Sequence, residues 1–167
     1  MSDCRTGCGD EARHVTGAPG LAAWLAPHLH FEQLLEKHRI ALMQLDLPVA
    51  QRALEEFAFA LREHIALEEQ WILPRYAALE APPGGALALF TGEHQKLLEF
   101  VRRFERALRT LAAEGPAHRK VLPLLDQQAT FKNLLEHHDA RERNLLYPTL
   151  EKQLSAAEQR TLCDALR

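Results

Sequence analysis

The sequence predicts an all-α fold, an up-down-up-down four-helix bundle followed by a short C-terminal helix. Three observations carry that prediction. Apolar residues recur at steps of three and four through four long segments, the pattern of a helix stripe buried in a bundle. Clusters of Gly and Pro separate those segments. One motif, a His with Glu four residues later and Pro ten residues later, occurs in both halves: His64, Glu68 and Pro74, then His138, Glu142 and Pro148.

Residues 1–20 show no hydrophobic period and contain Gly7, Gly9, Gly17, Pro19 and Gly20, which predicts a mobile arm ahead of a bundle spanning 21–167. The first helix is expected over roughly 28–46, with Phe31, Leu34, His38, Ala41 and Leu45 on its seam. Asp46-Leu47-Pro48 breaks it and starts the next, with Pro at a first-turn position. The second helix carries Leu54, Phe57, Leu61, His64, Glu68 and Trp71, and Pro74 should kink or end it near Leu73 by removing a backbone donor. Ala81-Pro82-Pro83-Gly84-Gly85 reads as a linker. The third helix, 86–114, repeats the rhythm in Leu87, Phe90, His94, Leu97, Val101, Phe104, Leu108 and Leu111, and Gly115-Pro116 stops it. The fourth, 117–147, carries Phe131, Leu135, His138, Glu142 and Leu145, with Pro123 predicting separate or kinked first turns. Ser155 and Glu158 form a capping box opening a last helix to about Leu166.

The polar residues on these seams point to chemistry. Four helical residues advance about 6 Å and return to nearly the same face, so each His-x-x-x-Glu aims two metal-ligating groups one way. Nine His and 23 acidic residues make roughly one such pair expected by chance. His28 with Glu32 is read as that one, because His38 rather than Pro stands ten residues on. A further His precedes each full motif, in Glu36-Lys37-His38 and Glu93-His94. A single seam His is ordinarily a hydrogen-bonded core residue, and a single seam Glu is paired or exposed. Six in repeated order are not explained that way.

Level within each hairpin tests the set. His94 is 21 residues before Gly115 and His138 is 22 after Pro116, so they meet. His38 is 9 before Leu47 while His64 is 16 after Pro48, a mismatch of about 10 Å at 1.5 Å per residue. His30 matches in level but lies about 80° off the seam. With phase ranked above level, His38 is the expected first-helix ligand and His30 the fallback. His14, His28 and His118 are read as incidental, and His137 as lying behind the site or at the surface.

His38, His64, Glu68, His94, His138 and Glu142 thus form a candidate site for two metal ions. With each Glu bridging and two His per ion, each ion has four protein atoms and room for an outside ligand. Imidazole with carboxylate suits iron, with manganese and zinc as competitors. Trp71, Phe57 and Phe131 are expected to pack the core and wall a dry pocket.

Bulk properties exclude other classes. A net charge of −3 argues against a nucleic-acid binder. No run of 18 apolar residues is present to span a membrane. Three cysteines do not make a secreted disulfide framework, so a cytoplasmic setting is expected, and Cys4-x-x-x-Cys8 alone is a weak metal or redox motif.

Over roughly 28–153 the chain resembles the hemerythrin-like HHE cation-binding family. The resemblance rests on His38, His64 with Glu68, His94, His138 with Glu142, and the phrases Glu68-Glu69, Leu73-Pro74 and Tyr147-Pro148. It implies a bundle around a non-haem di-iron centre that meets oxygen, nitric oxide or peroxide, in binding, sensing or detoxification. Oxygen-carrying members have a second His on the third helix, four residues after the first. Here that position is Leu98, which weighs against reversible carriage. Members that repair iron–sulfur centres often add a cysteine-containing N-terminal domain, and a repair or iron-donor role is the alternative, beside a structural bundle holding zinc or no metal.

Overall fold

The computed structural model describes residues 26–165; the predicted arm over 1–20, with Cys4 and Cys8, lies outside them. Those described form α1 (Ala26–Met43), α2 (Leu47–Leu67), α3 (Leu73–Tyr76), α4 (Leu87–Glu114), α5 (His118–Arg141), α6 (Tyr147–Gln153) and α7 (Ala156–Ala165), with no strand among them. α1, α2, α4 and α5 are the four long helices of an up-down-up-down bundle, each packed against two neighbours in that cyclic order. The α1–α2 contact is extensive and the α1–α5 contact sparse. No described helix is long and apolar enough to cross a membrane.

The helix ends follow local chemistry. α1 stops at Met43, earlier than its seam predicts, because Leu45 takes a positive φ of 57°. The Leu45 and Asp46 amides then donate to the Leu42 and Ala41 carbonyls, closing α1 in the manner usually left to glycine. Asp46 caps α2 by accepting from the Val49 amide at 3.1 Å, and Pro48 occupies its first turn. Pro123 stays inside a continuous α5, at its sixth residue. The Ser155–Glu158 box forms as predicted, with both the Ser155 amide and hydroxyl donating to Glu158, at 2.8 and 2.6 Å.

Pro74 and Pro148 do something the sequence does not announce. Each has no N–H, and its ring would press on the carbonyl four residues back. The turn before each Pro relaxes this by widening into one π-helical turn, Glu68–Ile72 and Glu142–Leu146. The Leu73 and Tyr147 amides reach back five residues, to the Glu68 and Glu142 carbonyls. The extra residue moves the seam on by one. Ile72 and Leu146 are therefore fully buried, whereas Trp71 and Leu145, the positions a regular helix would bury, are half exposed.

The core has two parts. The larger fills the bundle from the α1–α2 turn to Phe31, Ile65, Leu97 and Leu135. The smaller joins Ile72, Tyr76, Phe90, Leu146, Tyr147 and Leu150 to Leu162 and Cys163 of α7. On α4, and on the stretches running from α2 into α3 and from α5 into α6, the interval between them holds buried His or Glu.

The 81–85 linker is pinned to the smaller core. The Tyr76 hydroxyl donates to the Gly85 carbonyl at 2.7 Å, and a Cβ on Gly85 would lie 2.5 Å from that hydroxyl oxygen. Gly85→Ala is therefore expected to cost about 1–3 kcal/mol, lowering Tm by roughly 2–4 °C per kcal/mol. In a Tyr76→Phe background the same change should cost measurably less, because the clashing oxygen is gone. Equal Tm losses in both backgrounds would show that Tyr76 is not the obstacle.

Candidate metal centre

Five of the six residues singled out from the sequence converge between the two core parts, and the sixth does not. Ligand atoms of Glu68, His94, His138 and Glu142 all lie within 4.8 Å of one another, and so do those of His28, His64 and Glu142. All six are buried. The two His pairs repeat one geometry: the rings of His28 and His64 are 4.9 Å apart at 84°, and those of His94 and His138 are 4.9 Å apart at 77°. Glu142 belongs to both groups.

His38 is displaced from this set, contrary to the expectation from phase. It is fully buried, but its Nδ1–H donates to the Ala50 carbonyl at 2.7 Å, deeper in the bundle. Burial lowers its pKa and keeps the ring neutral. His30 is exposed. His28, read as incidental, takes the first-helix place. The missed signal was level. The turn centres on Asp46, with His28 18 residues before it and His64 18 after, and His28 stands three residues before Phe31, buried like it. Ranking level above phase would have reached the right turn of α1.

Three of the four converging histidines are held from behind by carboxylates. The Nδ1 of His28 bonds Asp139, that of His94 bonds Glu69 at 3.1 Å, and that of His138 bonds Glu93 at 3.2 Å. A carboxylate only accepts, so each Nδ1 carries the proton and Nε2 is turned toward the cluster. Each supporting acid is a sequence neighbour of a converging residue: Glu69 follows Glu68, Glu93 precedes His94, and Asp139 follows His138. Glu93 is itself fixed by Arg141, whose Nε donates to it at 3.1 Å while another guanidinium nitrogen holds the Gly84 carbonyl at 2.8 Å. His137, beside His138, is exposed.

The two carboxylates at the centre differ. The Tyr147 hydroxyl donates to Glu68 Oε1 at 2.5 Å. The equivalent residue before the other Pro is Leu73, which has nothing to donate. Glu68 Oε2, both Glu142 oxygens, and the Nε2 atoms of His94 and His138 have no hydrogen-bond partner despite full burial. Some are near one another, His94 Nε2 at 3.2 Å from Glu68 Oε2 and His138 Nε2 at 2.7 Å from Glu142 Oε1, yet without hydrogen-bond angles.

Such a layer is electrostatically incomplete. Burial pushes the Glu142 carboxyl up, and the negative Glu68 adds to that push. Burial acts against ionised Glu68 too, but His94, His64 and Tyr147 outweigh it and hold its pKa below the usual carboxylate range. Burial likewise opposes the charged form of His138, yet Glu142 raises it to about 10. His64 is driven by burial to about 4 and is neutral. Five buried donor atoms, oxygens and imidazole nitrogens, therefore face one small volume with no partner. This is the donor set a divalent cation requires, and the residues fit one.

The geometry sets the first-helix test. His28→Ala is expected to weaken metal binding more than about tenfold, the cost of disturbing even a group behind a ligand. His38→Ala should leave the metal content per chain unchanged and lower stability by ~2–3 kcal/mol through lost packing and hydrogen bonding. Elemental analysis and thermal melts of the two variants read both effects. The reverse ranking in metal content would return His38 to the site.

Comparison with known proteins agrees with this arrangement. The sequence model of the Hemerythrin HHE cation binding domain matches residues 19–150 and, in a second overlapping match, 85–167. The second match begins just before α4, as a chain whose two hairpins carry the same motif would allow. No curated protein matches the chain, and no solved structure does. On the first match, which covers most of the sequence and all four long helices, the chain belongs to the hemerythrin HHE cation-binding family.

Proposed function

We propose that this protein is a non-haem di-iron protein that binds and consumes oxygen, nitric oxide or peroxide in a cytoplasmic setting, rather than carrying oxygen reversibly. The observation that carries the reading is the pair of donor groups sharing Glu142: His94, His138 and Glu68 on one side, His28 and His64 on the other. Two ions sharing one carboxylate match that division. Mixed imidazole and carboxylate ligation suits iron, with manganese and zinc as the competing ions. Glu142, with both oxygens free of hydrogen bonds, would be the carboxylate shared by the two groups, and Glu68 would offer Oε2 while Tyr147 donates to Oε1.

Bound iron would supply the electrons for reducing a small oxidant. The chain's own residues do the rest. Glu69, Glu93 and Asp139 keep three imidazoles aimed inward. The apolar layers above and below pack over the cluster and bury its six residues. On α4, the third long helix, where oxygen carriers are expected to place a further His, Leu98 packs against the larger core and offers no donor. With five unshared residues and Glu142 common to both groups, two bound ions would keep room for an outside ligand, which favours consumption over protected carriage.

Two measurements check this. Anaerobic loading with ferrous iron should give about two ions per chain, since two donor groups are present; a value near one in folded protein would mean a mononuclear site. The loaded protein, exposed to air and then sparged with argon, should keep its oxidised visible spectrum until a reductant is added. Return of the ferrous spectrum on sparging alone would identify a reversible carrier.

A further inference from the structure

Between α1 and α5, where the bundle packs most loosely, lies a cavity of about 440 Å³. One water occupies ~30 Å³ in the liquid, so this space is far larger than a diatomic gas or hydrogen peroxide needs, and it falls within the ~300–1,000 Å³ range of pockets for organic ligands. Its inner end is formed by His28, His64 and His138, and its walls by Phe31, Leu35, Leu61 and Leu135. Toward the outer end stand Ile40 and Met43, which are 42% and 52% exposed and keep the opening apolar.

The charges along it are not equivalent. Lys132 is paired with Glu136, and Asp139 with His28 and Arg143. Glu32 and Glu36 are exposed, so water satisfies them. Arg39 lines the cavity half-buried, with no carboxylate in ion-pair range among the described residues. A half-buried guanidinium without a carboxylate beside it favours an anionic partner, and its planar fork suits a carboxylate.

We propose that this cavity binds a medium-chain aliphatic carboxylate, its acid group on Arg39 and its chain running between α1 and α5 toward the histidines. Eleven residues separate His28 from Arg39, about 16 Å along the helix, which an extended chain on the order of a dozen carbons spans. Binding needs only the cavity and Arg39. That the bound molecule is a substrate or regulator of the metal centre rests on the function proposed above.

The test uses the full-length protein as purified, with its metal content measured on the same sample. Dodecanoate, 1-dodecanol and dodecylamine are titrated by calorimetry. Dodecanoate should bind one per chain, and dodecylamine at least about tenfold more weakly, the scale of one charge-assisted hydrogen bond. Arg39→Gln should weaken dodecanoate by a similar factor. Leu135→Trp, which fills the cavity, should abolish binding, with circular dichroism confirming the fold. If Leu135→Trp does not fold, Arg39→Gln and the amine decide the matter. Absence of saturable binding up to millimolar dodecanoate, equal affinity for acid and amine, or wild-type affinity in Arg39→Gln would each overturn the proposal. Dodecanoate binding by a sample that takes up no metal would defeat the di-iron reading and leave this one standing.

Discussion

The constraint on which the rest depends is the burial of two carboxylates, Glu68 and Glu142, in the centre of a helical bundle. Burying one ionised carboxylate without a partner costs several kcal/mol, and two side by side repel each other besides. The chain compensates in part. His94 and His64 stabilise charge on Glu68, Tyr147 donates to it, and His138 lies against Glu142. What is left over, both Glu142 oxygens and one of Glu68, is what a bound cation would satisfy. Removing any one of these residues would therefore disturb charge balance as well as packing.

The π turns follow from placing Pro six residues after each Glu. Each widened turn begins at the Glu itself. It lets the helix continue past the Pro rather than end, and it shifts the downstream face by one residue. That shift puts Leu146 and Tyr147 inward together, so Tyr147 can reach Glu68 across the bundle. In a regular helix Leu145 would take the buried place and the hydroxyl would turn away. The Pro of the motif thus acts on the site through the backbone, without contributing a ligand atom.

How much of this the sequence discloses depends on how local each signal is. The four helices, their breaks at Asp46 and Gly115, and the Ser155 box depend on neighbours a few residues apart, and all were legible. The second hairpin pair, His94 with His138, was legible because Gly115-Pro116 marks the turn closely. The first was not, because Leu45 ends α1 through a positive φ that a Leu rarely adopts, and the helix limit was set too far on. His28 lies about 80° round the helix from His38, so phase alone could not select it. Level could, and it requires knowing where the turn is centred. The widened turns were hidden for a related reason: a Pro in a helix can end it, kink it or widen it, and the packing of Ile72 and Leu146 against a distant core selects among these.

The two halves, which share the His-x-x-x-Glu motif and its Pro, end up chemically unequal. Tyr147 against Leu73 gives Glu68 a donor and Glu142 none. The cavity between α1 and α5 reaches His28, His64 and His138, whereas His94 borders no part of it. The α1 side of the cluster therefore faces an apolar space of organic-ligand size, and His94 faces packed side chains and the carboxylate Glu69. A molecule entering along α1 meets the His28–His64 pair first, with the freer carboxylate, Glu142, beside it. The repeated His-x-x-x-Glu motif supplies four of the six converging residues. Departures from the repeat, at Tyr147 and along the α1–α5 seam, are what give the site a front and a back.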